Sequence, residues 1–291
     1  MRCFSARAAS IAIAVGLLVL FASACGSDEE SQASSDPLQV SIAQYRSTLE
    51  EDAENLAVKT AALANATEVG ELSRAQSRYA TSRVRYSQME PLAEELFPTL
   101  DLRVDAYIGE VAANEFGGFH RIEKALWAEE TLDGIGPVAK RLAADVEELR
   151  RKIGMVELQP VRIATGAAEL IGEIPAAMIA RREEPYADCD LVDVAANVEG
   201  AEAAFKAVQP LLAQRDPKLT REIEGQFGKA YAKLGEYGTL AREPDQPRPE
   251  APGAIFVVYD EVSEAEIRQL AEPIEALGEQ LSQVPDLIIS E

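Results

Sequence analysis

The chain has a single histidine, His120, three cysteines and one tryptophan among its 291 residues. Each scarcity removes a class of chemistry. A zincin helix needs two histidines, and the inverted zinc-protease pattern needs a histidine directly after its glutamate, where this chain has Lys124 after Glu123. Ferritin-like di-iron bundles take a Glu-x-x-His from each of two helices, which one imidazole cannot supply. No GxSxG-type turn offers a nucleophile for a histidine-dependent triad. Of the cysteines, Cys3 and Cys25 belong to an N-terminal leader or its end, so Cys189 has no partner for an internal disulfide. Stability must come from burial, and a chain of this length can bury one large core or two smaller ones.

Positive charge is the next shortage. There are 28 Lys and Arg against 50 Asp and Glu, a net charge of −22. Losing Arg2 and Arg7 with a leader would leave 26 against 50, or −24. Such a surface excludes nucleic acid as a partner, because phosphates need basic contacts. It disfavours bare polyanions and suits cations. A solvated acidic exterior explains most of these carboxylates in any case.

The leader is legible. Met1 to Arg7 is basic and free of acid, and Ala8 to Ala22 is apolar but for Ser10 and Gly16. This run is too short for a membrane span and fits a signal peptide. It ends in Ala22-Ser23-Ala24-Cys25-Gly26, which resembles a bacterial lipobox with Ala22 where leucine is preferred. The resemblance implies cleavage before Cys25 and lipidation of its thiol. Cleavage after Ala24 with Cys25 left as a free thiol is the alternative. The expected organisation is a signal peptide over 1–24, a polar tether over 25–37 and a folded domain over 38–291. The protein would then be anchored by lipid on the extracytoplasmic face of a membrane, in the periplasm or at the cell surface.

Helical periodicity dominates the folded part. Ile42, Tyr45, Leu49, Leu56 and Leu63 mark one face of a helix over Leu38–Ala66. A second helix is expected from Glu71 to about Phe97, kinked or broken at Pro91. A third pattern runs from Asp105 to Trp127, interrupted at Gly117-Gly118. Further helices are expected from Pro137 to about Ile153, over Pro160–Arg182, over Asp190–Gln214, from Pro217 to near Gly238 and over Ser263–Leu281. Residues 243–253 read as a Pro-rich loop, and Ile255–Tyr259 is the one β-type run, too isolated to imply a sheet. The fold class is all-α, a helical bundle or two packed bundles.

Chemistry concentrates around the histidine. On a helix, residues three apart share a face, so the His120 imidazole and the Glu123 carboxylate can converge on one ion. An ordinary hydrogen-bonded pair would show the same spacing. With one imidazole available, any metal site must be mostly carboxylate oxygen. That suits a hard or borderline cation such as ferric iron, manganese or calcium better than zinc or cuprous copper. As a ligand the imidazole must be neutral, so binding should weaken as pH falls through its titration.

Four ordered stretches then resemble a known family. They are Tyr86-Ser87-Gln88-Met89-Glu90-Pro91-Leu92-Ala93-Glu94, Leu100-Asp101-Leu102-Arg103-Val104-Asp105-Ala106, the run Gly118 to Trp127, and Asp190-Leu191-Val192-Asp193-Val194-Ala195-Ala196-Asn197-Val198-Glu199-Gly200-Ala201. Together they are similar to the imelysin family in its EfeO-like (EfeM-type) branch. The resemblance implies two four-helix bundles packed as a bilobal domain. It also implies a metal site of His120 and Glu123 with Glu90, Asp105 and Asp190 or Asp193, the last two also suited to capping their helix. The implied role is iron binding, not enzymology, beside an Efe-type membrane permease and a haem peroxidase. The family's peptidase label sits poorly with a single histidine. Some relatives suggest a cleft for an organic ligand or a cation-bridged polysaccharide. The chain departs from the pattern at Ser87, where the family has glutamate, and by one extra residue near Pro98-Thr99. Full-length relatives also carry a cupredoxin domain, where residues 25–37 here read only as a tether.

Overall fold

Three of the long helices begin behind a side chain that takes up free amides of the first turn. The computed structural model describes residues 36–180, 184–240, 254–256 and 259–289. Helix α1 (Pro37–Glu68) starts behind Asp36, whose carboxylate accepts from Leu38 N. Helix α8 (Pro217–Leu234) starts behind Asp216, which accepts from Lys218 N and Leu219 N. Helix α9 (Glu264–Leu281) carries a reciprocal capping box between Ser263 and Glu266. Between them lie α2 (Leu72–Leu96), α3 (Pro98–Asp105), α4 (Gly118–Glu123), α5 (Ile135–Ile153), α6 (Pro160–Ala180) and α7 (Asp190–Arg215), and the short α10 (Val284–Ile288) closes the chain.

The fold is the expected all-α bundle. Helix α1 lies against α2 and α5, while α6, α7, α8 and α9 each pack on the next. Helix α2 joins the two sets by packing on both α6 and α7. From Ser35 onward the chain is one compact unit around a continuous hydrophobic core. The signal peptide, Cys25, residues 26–35 of the tether, Arg182 and the Pro-rich loop lie outside the described residues.

Three expectations are corrected. The break allowed at Pro91 does not occur, since helix α2 continues through it. Proline removes the N–H that would bond Ser87 O, and the Asn197 amide of α7, oriented by its neighbours, donates to that oxygen instead at 2.8 Å. Second, there is no helix from Asp105 onward: α3 ends at Asp105, and residues 106–117 cross as a loop before α4 and a π-helical turn over Lys124–Ala128. Third, the β-type run does find a partner, since Ala254–Phe256 (β2) pairs antiparallel with Gly238–Leu240 (β1).

Glycines bring the site-bearing helices together. A Cβ at Gly200 of α7 would lie 2.3 Å from Gln88 O of α2, and one at Gly118 would lie 2.1 Å from Val104 O of α3. Gly118 also has φ +64, where a side chain is strained. Gly118→Ala is therefore expected to destabilise the fold by about 1–3 kcal/mol, the usual cost of overpacking. Denaturant unfolding of parent and variant measures it, and an unchanged midpoint would show that α3 and α4 are not in close contact.

Candidate metal centre

The close approach of α4 to α3 and of α7 to α2 encloses a buried polar chamber. Arg83 of α2 stands at its middle, 1% exposed. Its Nη1 donates to Asp105 Oδ2 at 2.7 Å, and its Nε lies 2.9 Å from Glu184 Oε1 and 3.1 Å from Asp193 Oδ2. The guanidinium also sits 5.8 Å from the ring centroids of both Tyr86 and Phe119.

His120 and Glu123 share one face of α4, as their spacing requires. His120 Nδ1 is 3.2 Å from Glu123 Oε2, and His120 Nε2 is 3.6 Å from Asp105 Oδ1. A neutral ring thus presents its N–H to one carboxyl group and its lone pair toward the other, whichever tautomer forms. The Tyr107 ring stacks on the imidazole with centroids 4.3 Å apart. Glu123 Oε1 accepts from Tyr186 N at 2.7 Å and Ala187 N at 2.9 Å, which fixes the carboxyl group.

Glu184, fully buried in the segment before α7, completes the centre. Its two oxygens each lie 3.0 Å from the Tyr79 hydroxyl. His120, Glu123 and Glu184 can each offer a donor atom within 4.8 Å of the others, a spacing one cation can bridge. His120 Nε2 and Asp105 Oδ1 are buried without a hydrogen-bond partner, so the chamber holds donor atoms that the protein itself leaves unsatisfied.

The other anticipated ligands stand further round. Asp193 faces Arg83, and Asp190 receives the backbone N–H of Glu184, which ties that residue to the start of α7. Glu90 accepts from Asn197 at 3.1 Å and feels the Arg83 charge. Glu184 and Arg83 were not anticipated. Glu184 sits in Arg182-Glu183-Glu184-Pro185, whose composition reads as a solvated loop, and Arg83 is one of several arginines on α2.

Charge is unbalanced in this chamber. Asp105, Glu123, Glu184, Asp190 and Asp193 are all buried, against one guanidinium. Burial accordingly pushes Glu123 and Asp190 up to about 7 and Glu184 well above the carboxylate range. Burial also takes the imidazole down to about 4. The chamber therefore holds carboxyl protons that a cation can displace, next to a neutral imidazole. A mixed oxygen and imidazole donor set fits a hard or borderline metal ion.

Comparison with known proteins identifies the family. The chain is 32% identical over 246 residues to proteins from Escherichia coli K12, Shigella flexneri and Escherichia coli O157:H7, each named "Iron uptake system component EfeO". The match covers 84% of this chain and 62% of each relative's length. The imelysin family model, which also bears a peptidase label, matches residues 41–284. With a family model spanning nearly all of the described helices, the chain belongs to the imelysin family.

Proposed function

We propose that this protein binds iron outside the cytoplasm, as a lipid-anchored component of an iron uptake system. The observation that carries the reading is the buried His120–Glu123–Glu184 set, with unsatisfied His120 Nε2 and Asp105 Oδ1 beside it. The names of the relatives support iron as the cargo. The family resemblance supports delivery to an Efe-type membrane permease with a haem peroxidase alongside. Hydrolysis is disfavoured, because both oxygens of Glu123 are engaged, which leaves it poorly placed to act as base on a bound water. The test is elemental analysis of purified protein followed by titration with ferric iron held by a competing chelator. About one ion per chain supports the proposal, and no metal bound under any loading would overturn it.

The anchor is tested separately. Cys25→Ala is expected to leave the precursor unprocessed or to release the protein into the soluble fraction. Membrane partition and gel mobility identical to the parent would remove the lipid anchor from the proposal.

A further inference from the structure

We infer that the Arg83 guanidinium fills a second cation position in this chamber, and so limits the centre to one metal ion. The inference deepens the metal-binding proposal and rests on it. The geometry is that of a bridged two-cation site with one cation made of protein. Asp105 turns Oδ2 to Arg83 Nη1 at 2.7 Å, while its Oδ1 is left without a hydrogen bond toward His120 Nε2. Glu184 likewise belongs to both sides: it can join His120 and Glu123 around an ion, and its Oε1 lies 2.9 Å from Arg83 Nε. Asp193 stands on the arginine side, 3.1 Å from Arg83 Nε and beside Glu184.

Two carboxylates thus stand between the His120–Glu123 position and the guanidinium, as bridging carboxylates stand between paired metal ions. The remaining Asp193 supplies a terminal oxygen to the arginine side. Arginine cannot give up its charge, so no pH change vacates the position. A metal ion entering at His120 meets a fixed positive charge already neutralising the far side, and a second ion finds its oxygens taken.

The experiment is a count of ions. Arg83→Gln removes the charge and keeps a polar side chain, and Arg83→Lys keeps the charge. Each is dialysed against Mn2+ and its metal content is measured, with electron paramagnetic resonance as a second readout. Arg83→Gln should bind one Mn2+ more than the parent, and the bound pair should show the spectrum of coupled ions. Arg83→Lys should match the parent. An unchanged count in folded Arg83→Gln overturns the inference. If Arg83→Gln is unfolded without metal, saturating Mn2+ should restore its helical signal, and a chain that stays unfolded overturns it too. A parent that binds no metal sinks the functional proposal instead, since this inference concerns only the added ion.

Discussion

His120→Ala and Glu123→Ala are each expected to lower affinity for iron by well over the roughly 10–100-fold that loss of an outer-shell contact costs. Glu184→Gln should do the same. The three donors lie within 4.8 Å of one another, so each contributes to a single ion and none is replaced by a neighbour already bonded elsewhere. Asp193→Asn should cost less, because its oxygen faces Arg83 rather than the imidazole. The helical signal should survive, since most of the apolar core lies on helices other than α4. Glu123→Gln is the sharper control: it can still accept from Tyr186 N and Ala187 N, so it removes charge while keeping the loop seated. Competition with a calibrated chelator at neutral pH, on parent and variants, provides the numbers. Parent-like affinity in both His120→Ala and Glu123→Ala would place the ion elsewhere and leave the pair as a hydrogen bond in a bundle core.

How much of this was legible follows from what each signal depends on. Helix positions follow from local apolar spacing and caps, so α1, α5, α8 and α9 were readable to within a few residues. The His120–Glu123 face follows from three-residue spacing and holds at 3.2 Å. Resemblance points to Asp105 as a site residue, but the periodic pattern runs onward from it, while α3 ends there. The pattern after it suggested a helix start, whereas Ala106 turns to ψ 133 and Tyr107 leaves to stack on His120. That choice is made by a contact thirteen residues away in sequence, which periodicity does not register. Glu184 and Arg83 were hidden for a related reason. Charged residues are almost never fully buried unless paired, and composition alone cannot reveal a pair separated by 101 residues. Pro91 was readable as a helix breaker, but the Asn197 amide that repairs the broken ladder comes from another helix.

The pH dependence of binding should come from carboxyl groups, not from the imidazole. Burial takes His120 down to about 4, so the ring is neutral throughout the range from pH 5 to 8 and releases no proton there. Glu123 is pushed up to about 7 and Glu184 higher, so both hold protons in the metal-free chamber that an ion must displace. Each displaced proton changes apparent affinity by about tenfold per pH unit, so affinity should fall by more than about tenfold per unit as pH drops from 7 to 5. Stability of the metal-free protein moves the opposite way. A carboxyl group raised from 4.5 to about 7 in Glu123, or from 3.8 to about 7 in Asp190, binds more protons folded than unfolded across that interval. Its contribution is present at low pH and is lost as pH climbs through the folded value. His120, lowered from 6.5 to about 4, opposes this between those two values by binding more protons unfolded. Above pH 6.5 the imidazole no longer acts, and only the carboxyl groups remain. The metal-free protein should therefore lose thermal stability from pH 6.5 to about 8, while saturating metal should raise its melting temperature most at the upper end. Titration calorimetry in buffers of different ionisation enthalpy counts the released protons, and melting curves with and without metal follow the stability. Binding that releases no protons at pH 6, with melting temperatures flat from 6.5 to 8, would mean that these carboxyl groups are already ionised and that the ion does not displace protons from them.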